Sequence, residues 1–161
     1  SRGVSHKTVV PVRAEILLET PAITVDASAF PVLFIYFADA VPAADFRAFL
    51  DVCRDVLHRD KPFVAVVDAR NAGPLADELV LAAADWLIEN DSKRRELSRG
   101  LALVLATRAQ RDVLKKILAQ SSVGPHELFE RVPDAVAWAT RRLSGTTTLP
   151  TGDSPVAAKR R

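Results

Sequence analysis

Cysteine is nearly absent from this sequence: of 161 residues only Cys53 carries a thiol. No disulfide can form within the chain, and low cysteine usage is typical of the reducing cytoplasm, where we expect the protein to act. Cys53 lies on the apolar side of a predicted helix. We therefore interpret it as a small buried hydrophobic residue and not as a catalytic thiol.

The motifs that bind nucleotides and metals are missing too. The six glycines form neither GxGxxG nor GxxxxGK[ST], which argues strongly against the common nucleotide-dependent enzymes. The three histidines, His6, His58 and His126, are far apart and have no metal-ligand spacing, and a single cysteine adds little to them. We expect no metal site and no cofactor.

The residues of common catalytic centres are also lacking. Two predicted strand-to-helix turns, DARNAGP and LATRAQR, contain no serine that could serve as a nucleophile. We therefore expect no catalytic residues. An enzyme that uses Asp68 and Arg70 remains a minor alternative.

Long apolar runs and dense basic stripes are absent as well. No run approaches the ~20 residues that a membrane-spanning helix needs. The first residues, SRGVSHK, lack the apolar core of a signal peptide, so we expect none there. Aromatic residues make up only 6% of the chain, and no basic stripe is interleaved with them. We expect neither a membrane span nor a nucleic-acid partner.

What the sequence does contain is an alternation of strand-like and helix-like segments. Apolar residues at 41–60 recur at three- and four-residue steps, which predicts an amphipathic helix. The run KPFVAVVDA at 61–69 is continuously apolar, as in a strand that is covered on both faces. Further strands are predicted at 22–28, 30–40, 101–107 and 126–132, and further helices at 74–90, 108–120 and 133–143.

This order, β-β-α-β-α-β-α-β-α, predicts a single α/β domain with a mixed sheet. A hairpin supplies the antiparallel strands, and right-handed crossovers supply the parallel ones. Before it, residues 1–21 form a β-prone extension in which Pro11 favours an edge position. The domain is predicted to cover residues 22–144, followed by a flexible polar tail at 145–161. Gly100 is interpreted as the end of a polar helical stretch that follows residue 90.

Charge is unevenly distributed, although the net charge is only +2. Residues 1–90 contain 8 Lys and Arg against 13 Asp and Glu, a balance of −5, whereas residues 91–161 contain 14 against 7, a balance of +7. We favour solvated helix faces as the explanation. The alternative is a homo-oligomer, formed head to tail by opposite charges or by pairing of an edge strand at 7–19.

The stretch DARNAGPLADE, from residue 68 to 78, holds the most informative polar residues. Asp68 ends a buried strand, so its carboxylate needs partners, which turn amides or Arg70 can supply. We interpret Asp68 primarily as a brace for the helix that follows. The functional hypothesis places a partner-binding surface here, because α/β folds usually bind ligands at the carboxyl end of the sheet. Its residues are Asp68, Arg70, Asn71, Asp77 and Glu78.

Residues 22–143 contain the segments FPVLFIYFADAVPAADFRAFL, KPFVAVVDAR, AADWL, RGLALVLAT with RDVLKKIL, and LFERVPDAVAWATRRL. These segments resemble the STAS fold of anti-sigma-factor antagonists, and more narrowly the SpoIIAA-like bacterial proteins that are grouped near the CRAL-TRIO lipid-transfer fold. The resemblance implies a regulatory domain that is switched by phosphorylation of a serine at a helix start. Residues 68–77 contain no Ser, Thr or Tyr, so we expect this protein to lack that switch.

Two functions follow as hypotheses. The first is a non-enzymatic protein–protein interaction module in a bacterial cytoplasm, acting through the surface at 68–78 on another protein or on a second copy of itself. The alternative, implied by the CRAL-TRIO side of the resemblance, is a domain that binds a small molecule or lipid. It requires a cavity in the apolar interior, for which a domain of this length leaves little volume beyond a packed core.

Overall fold

Over the residues that the structure describes, the predicted strands and helices form one six-stranded sheet with five helices. The computed structural model describes residues 14–145, so most of the predicted N-terminal extension and nearly all of the predicted tail lie outside the described residues. The strands are β1 (Ile16–Glu19), β2 (Ile23–Asp26), β3 (Val32–Asp39), β4 (Phe63–Ala72), β5 (Ser98–Val104) and β6 (His126–Phe129). The helices are α1 (Ala43–Leu57), α2 (Asp77–Glu89), α3 (Asp91–Leu97), α4 (Arg108–Leu118) and α5 (Val132–Ser144).

The spatial order of the strands is the order of the chain, from β1 to β6. The first three strands pair antiparallel, and β3 to β6 pair parallel. This confirms the mixed α/β sheet. Each parallel connection steps in the same direction across the sheet, and right-handed crossovers then place α1 to α4 on one face. Within residues 14–145, α5 is the last element, and it packs on the opposite face.

Each face of the sheet belongs to a separate apolar core, and β4 contributes to both. Phe63, Ala65 and Val67 pack into the core under α1 to α4, whereas Val64 and Val66 pack against α5. Successive side chains of a strand point to opposite faces, so a strand covered on both faces is continuously apolar. This explains the apolar run that predicted β4.

The face of the sheet that α5 covers is closely packed because the side chains that α5 buries there are small. Ala135 and Ala139 are fully buried, and the α5 backbone approaches β4 and β5 closely. Gly100 adds to this: a Cβ atom there would lie 2.8 Å from Cη2 of Trp138. The prediction that Gly100 ends a helix is wrong, because α3 ends at Leu97 and the chain enters β5 directly.

The carboxyl end of β4 also differs from the prediction. The Asn and Gly in RNAGP indicated a turn from residue 70, but the strand continues to Ala72, and Asn71 pairs with Ala38 after a β-bulge. The turn begins at Gly73, whose N–H donates to the Asp39 carbonyl over 2.8 Å. A Cβ at Gly73 would lie 2.9 Å from the backbone N of Ala40, so this close contact between two segments of the backbone requires glycine.

Candidate functional site

Asp68 and Arg70 form an ion pair at the carboxyl end of β4. Arg70 Nε donates to Oδ1 of Asp68 over 2.9 Å, and Nη2 donates to Oδ2 over 2.8 Å. The backbone N–H of Arg70 donates to the same Oδ1 over 3.2 Å. Both carboxylate oxygens of Asp68 therefore accept hydrogen bonds from Arg70, two residues further along the chain. The two side-chain bonds have the bidentate geometry that arginine favours.

The pair shifts the proton affinities of both partners. Hydrogen bonds from the Arg70 guanidinium lower the pKa of Asp68 below its usual value, and the same contact raises the pKa of Arg70. Asp68 is therefore ionised at neutral pH. A carboxylate held in this state by a permanent cation is suited to fixing a backbone and poorly suited to taking up a proton as a general base.

Asn71 and Gln110 connect the end of β4 to its neighbours. Asn71 Nδ2 donates to the Tyr36 hydroxyl on β3 over 2.9 Å. Gln110 Nε2 donates to the carbonyls of Arg70 and Ala72, at 3.0 and 3.1 Å. The sequence analysis did not single out Gln110. The available signal was the spacing TxxQ, because Thr107 and Gln110 form a capping box at the start of α4.

Asp77 and Glu78 lie apart from this cluster, in the first turn of α2. Their ion pairs go to Lys116 on α4 at 3.9 Å and to Arg47 on α1 at 3.8 Å, and all four side chains are largely exposed. Such long surface pairs add little stability. The structure thus divides the five predicted site residues into two groups, with residues 73–76 between them.

The outer surface of α2 is the feature that the sequence analysis missed. Leu81 and Ile88 are 49% and 56% exposed, and at a spacing of seven residues they lie on one side of the helix. The helix contains four carboxylates and no Lys or Arg. On a helical wheel, Asp77, Leu81 and Ile88 fall on the same side of α2. This pattern was the signal in the sequence that two large apolar residues share the exposed side of the helix.

A cavity of about 300 Å³ lies between the sheet and α1, α2 and α4. Its walls are almost entirely apolar and include Phe37, Phe49 and Leu114. Cys53 also lines it, and burial raises the pKa of this thiol to about 12, so the side chain is neutral. The volume lies at the lower end of the range for small-molecule sites, ~300–1,000 Å³. The sequence analysis expected little space beyond a packed core.

Within residues 14–145, no cluster of three or more His, Cys, Asp or Glu side chains is placed to hold a metal ion. None of the helices over the same residues has the length and apolar character needed to cross a membrane.

Comparison with known proteins establishes the fold. No family model matches the sequence, and no curated protein matches it. Among solved structures, an uncharacterised protein of the DUF3478 family from Shewanella loihica PV-4, described as having a SpoIIAA-like fold, matches with a TM-score of 0.55 and 15% identity, over 81% of this chain and 98% of that one. An anti-sigma factor antagonist from Mycobacterium paratuberculosis has a TM-score of 0.46 and 16% identity, over 81% and 97% of the two chains. This chain therefore has the SpoIIAA-like fold that its core segments predicted.

Proposed function

We propose that this protein is a non-enzymatic interaction module that binds another protein through the outer surface of α2. The observation that supports the proposal most directly is the exposure of Leu81 and Ile88 on one side of a helix. Large exposed apolar side chains that lie together and are surrounded by charge are typical of protein-binding surfaces.

The negative charge of α2 indicates what kind of partner surface it would bind. The helix carries four exposed carboxylates, on Asp77, Glu78, Asp85 and Glu89, which lie on the same side of the helix as the two apolar residues, and it carries no positive charge. We infer a partner that presents an apolar contact bordered by Lys or Arg, because complementary charge directs association and excludes other surfaces. Arg70 and Asn71, which are exposed at the end of β4, are proposed as a second and separate polar contact area.

The absence of a catalytic role is part of the proposal. Asp68 is held as an ion by Arg70, and its neighbours on β4 offer no nucleophile. The compartment is proposed to be the cytoplasm, because one cysteine in 161 residues is in keeping with a reducing environment.

Site-specific cross-linking in cells tests the surface. A photoreactive residue at position 81 should give a covalent adduct with one defined protein. Ala137, which is exposed on α5 at the opposite face of the sheet, provides the matched control position and should not give that adduct. The double substitution Leu81→Lys and Ile88→Lys should abolish the interaction, whereas Ala137→Lys should leave it unchanged. Equal adducts at both positions would contradict the proposal.

The same experiment distinguishes a foreign partner from a second copy. An adduct of twice the mass of the chain would indicate a homo-oligomer, in which the acidic α2 meets the basic α4 of another copy; α4 carries Arg108, Arg111, Lys115 and Lys116. Sedimentation at low and high salt then provides a check, because an association based on charge weakens as salt screens it.

A further inference from the structure

The face of the sheet on which α5 lies is covered only in part. The helix contacts mainly β4, β5 and β6, and the apolar core beneath it extends no further than Val32 and Phe34 of β3. The helices α1 to α4 lie on the other face. Within residues 14–145, the part of the α5 face that β1 and β2 form, together with the adjoining side of β3, therefore has no helix above it.

Strand pairing shows which side chains occupy this uncovered area. Ile23 and Val25 of β2 belong to the core under α1 to α4, so the residues that alternate with them, Thr24 and Asp26, lie on the α5 face. Residues that pair across neighbouring strands share a face. The uncovered area, called the open face below, consists of Ile16, Glu19, Thr24, Asp26, Phe34 and Tyr36.

Apolar side chains are exposed in the open face. Ile16 is 44% exposed and Tyr36 is 37% exposed. Val66 and Val104 lie in the same two rows of paired residues but under α5, and they are exposed to 1% or less. Large apolar side chains that are exposed together indicate a surface that another segment or molecule covers.

The open face is also acidic. It contains Glu19 and Asp26, and neither carboxylate forms an ion pair within the described part of the chain. Asp26 Oδ1 accepts a hydrogen bond from the backbone N–H of Ser28 over 2.8 Å, which satisfies the oxygen without neutralising its charge. A segment that covers the open face should therefore combine apolar side chains with positive charge.

The segment that precedes β1 has this composition. Residues 1–13 contain three Lys or Arg, no Asp or Glu, and four valines. They join the described chain at Ala14, directly before β1, which borders the open face. The distance across the sheet from β1 to β3 is about 10 Å, and seven extended residues span up to about 23 Å. Residues 7–13 are thus long enough to cross the open face.

We propose that residues 7–13 cross the open face, with their valines over Ile16 and Tyr36 and their basic side chains beside the two carboxylates. Residues 146–161 are the less suitable segment, because they include an aspartate and follow α5, whose last turns lie beside β5: Arg142 Nε donates to the carbonyl of Arg99 over 2.8 Å. The inference does not depend on the proposed surface of α2, which lies on the other side of the sheet.

Nitration of the full chain tests the proposal. Tyr36 is the only tyrosine, so its rate of nitration reports on the open face without any substitution there. Replacing Val9, Val10 and Val12 with serine removes the apolar part of the proposed contact and should make Tyr36 react about tenfold faster. An unchanged rate would overturn the proposal.

The control variant carries the same kind of change at the other end of the chain. Leu149→Ser with Val156→Ser removes apolar side chains from residues 146–161 and should leave the nitration rate of Tyr36 as it is in the parent protein. Faster nitration in this variant would assign the cover to residues 146–161 and overturn the assignment to residues 7–13.

A cysteine reporter gives an independent measurement. Thr24→Cys places a thiol in the open face, and Leu128→Cys places one on β6 at the opposite face, where the paired residue Leu103 belongs to the other core. The serine substitutions at the three valines should speed labelling of Thr24→Cys about tenfold and leave Leu128→Cys unchanged. Cys53 contributes little, because burial raises the pKa of its thiol to about 12. Equal acceleration at both positions would mean a general loosening of the fold and would contradict the proposal.

Dilution distinguishes a segment of the same chain from a second copy. A tethered segment keeps the same effective concentration, so roughly a hundredfold dilution of the unsubstituted valine background should not alter the labelling of Thr24→Cys. Faster labelling after dilution would show that another copy covers the open face and would overturn the assignment to the segment of the same chain.

Discussion

The two faces of the sheet are packed by opposite means. On the α5 face, residues of small or moderate size, Ala135, Ala139, Val64 and Val66, are all buried to 1% exposure or less, and the helix lies close to the strands. On the other face, four helices stand over large side chains and leave about 300 Å³ of space. The number of apolar residues on a face of the sheet therefore does not by itself decide how densely that face is packed.

The difference follows from what each helix presents to the sheet. Alanines let a helix backbone approach strands closely, and side chains then interlock without voids. Phe46 and Phe49 of α1 hold that helix away from the strands, and α1 and α2 make few close backbone approaches to the central strands β4 and β5. The α5 face should therefore be sensitive to added volume, and the cavity face should tolerate it.

Adding the same side chain to each face gives the largest expected effect. Ala139→Leu inserts three carbons into the closely packed side and should lower the free energy of unfolding by about 1–3 kcal/mol. Ala83→Leu, on α2, inserts the same group where the residue lines the cavity, and should cost less than about 1 kcal/mol. Urea denaturation measures both. Equal losses would show that the cavity cannot accept a side chain.

Removing side-chain volume from two neighbouring residues of β4 should show the same contrast between the faces, but more weakly. Val66→Ala leaves a void in the closely packed core and should cost about 2 kcal/mol. Val67 is the next residue, lines the cavity and already lacks some packing partners, so Val67→Ala should cost about 1 kcal/mol. The same denaturation experiment compares them, and a larger loss for Val67→Ala would reverse our interpretation of the two faces.

The smallest expected loss of stability is that of a substitution at Asp68, where β4 extends beyond the closely packed region. The pKa of Asp68 is lowered by Arg70, so its pair stabilises the fold fully above about pH 4 and loses this contribution as pH falls through the lowered value. Asp68→Asn should cost about 0.2–1 kcal/mol at pH 7. The difference from the parent protein should vanish in strongly acidic solution.

Thermal unfolding across this pH range is the measurement. Asp85→Asn, which removes an exposed carboxylate from α2, provides the control for the loss of one negative charge and should leave the stability at pH 7 nearly unchanged. A difference for Asp68→Asn that persists in strong acid would mean that the effect arises from packing and not from ionisation.

The fold was largely predictable because the signals for it are local and repeated. The apolar run of β4 and the three- and four-residue spacing of α1 each identify one element, and the order of elements then limits the topology. Errors occurred where a tertiary contact overrides a local signal. Asn71 and Gly73 resemble a turn, but pairing with β3 extends the strand. Gly100 resembles a helix end, but it is needed where Trp138 packs.

The candidate site was predictable only in part. The contact between Asp68 and Arg70 follows from a buried carboxylate beside an arginine, and the structure contains it. The separation of Asp77 and Glu78 from this pair depends on where α2 begins, which the sequence does not fix. The cavity was beyond prediction, because its volume depends on how far helices stand from the sheet and not on any one residue.

The strands lie in the sheet in the same order as in the chain, and this has a consequence for folding while the protein is being synthesised. Each strand from β2 onward pairs with the strand that precedes it in sequence, so no early segment must wait for a distant late one. The sheet can grow one strand at a time as the chain leaves the ribosome, and each new strand covers the edge exposed by the last. Pairing between strands that follow one another in the chain keeps the contact order lower than pairing between its distant ends would, and it shortens the time for which an unpaired edge could capture another chain.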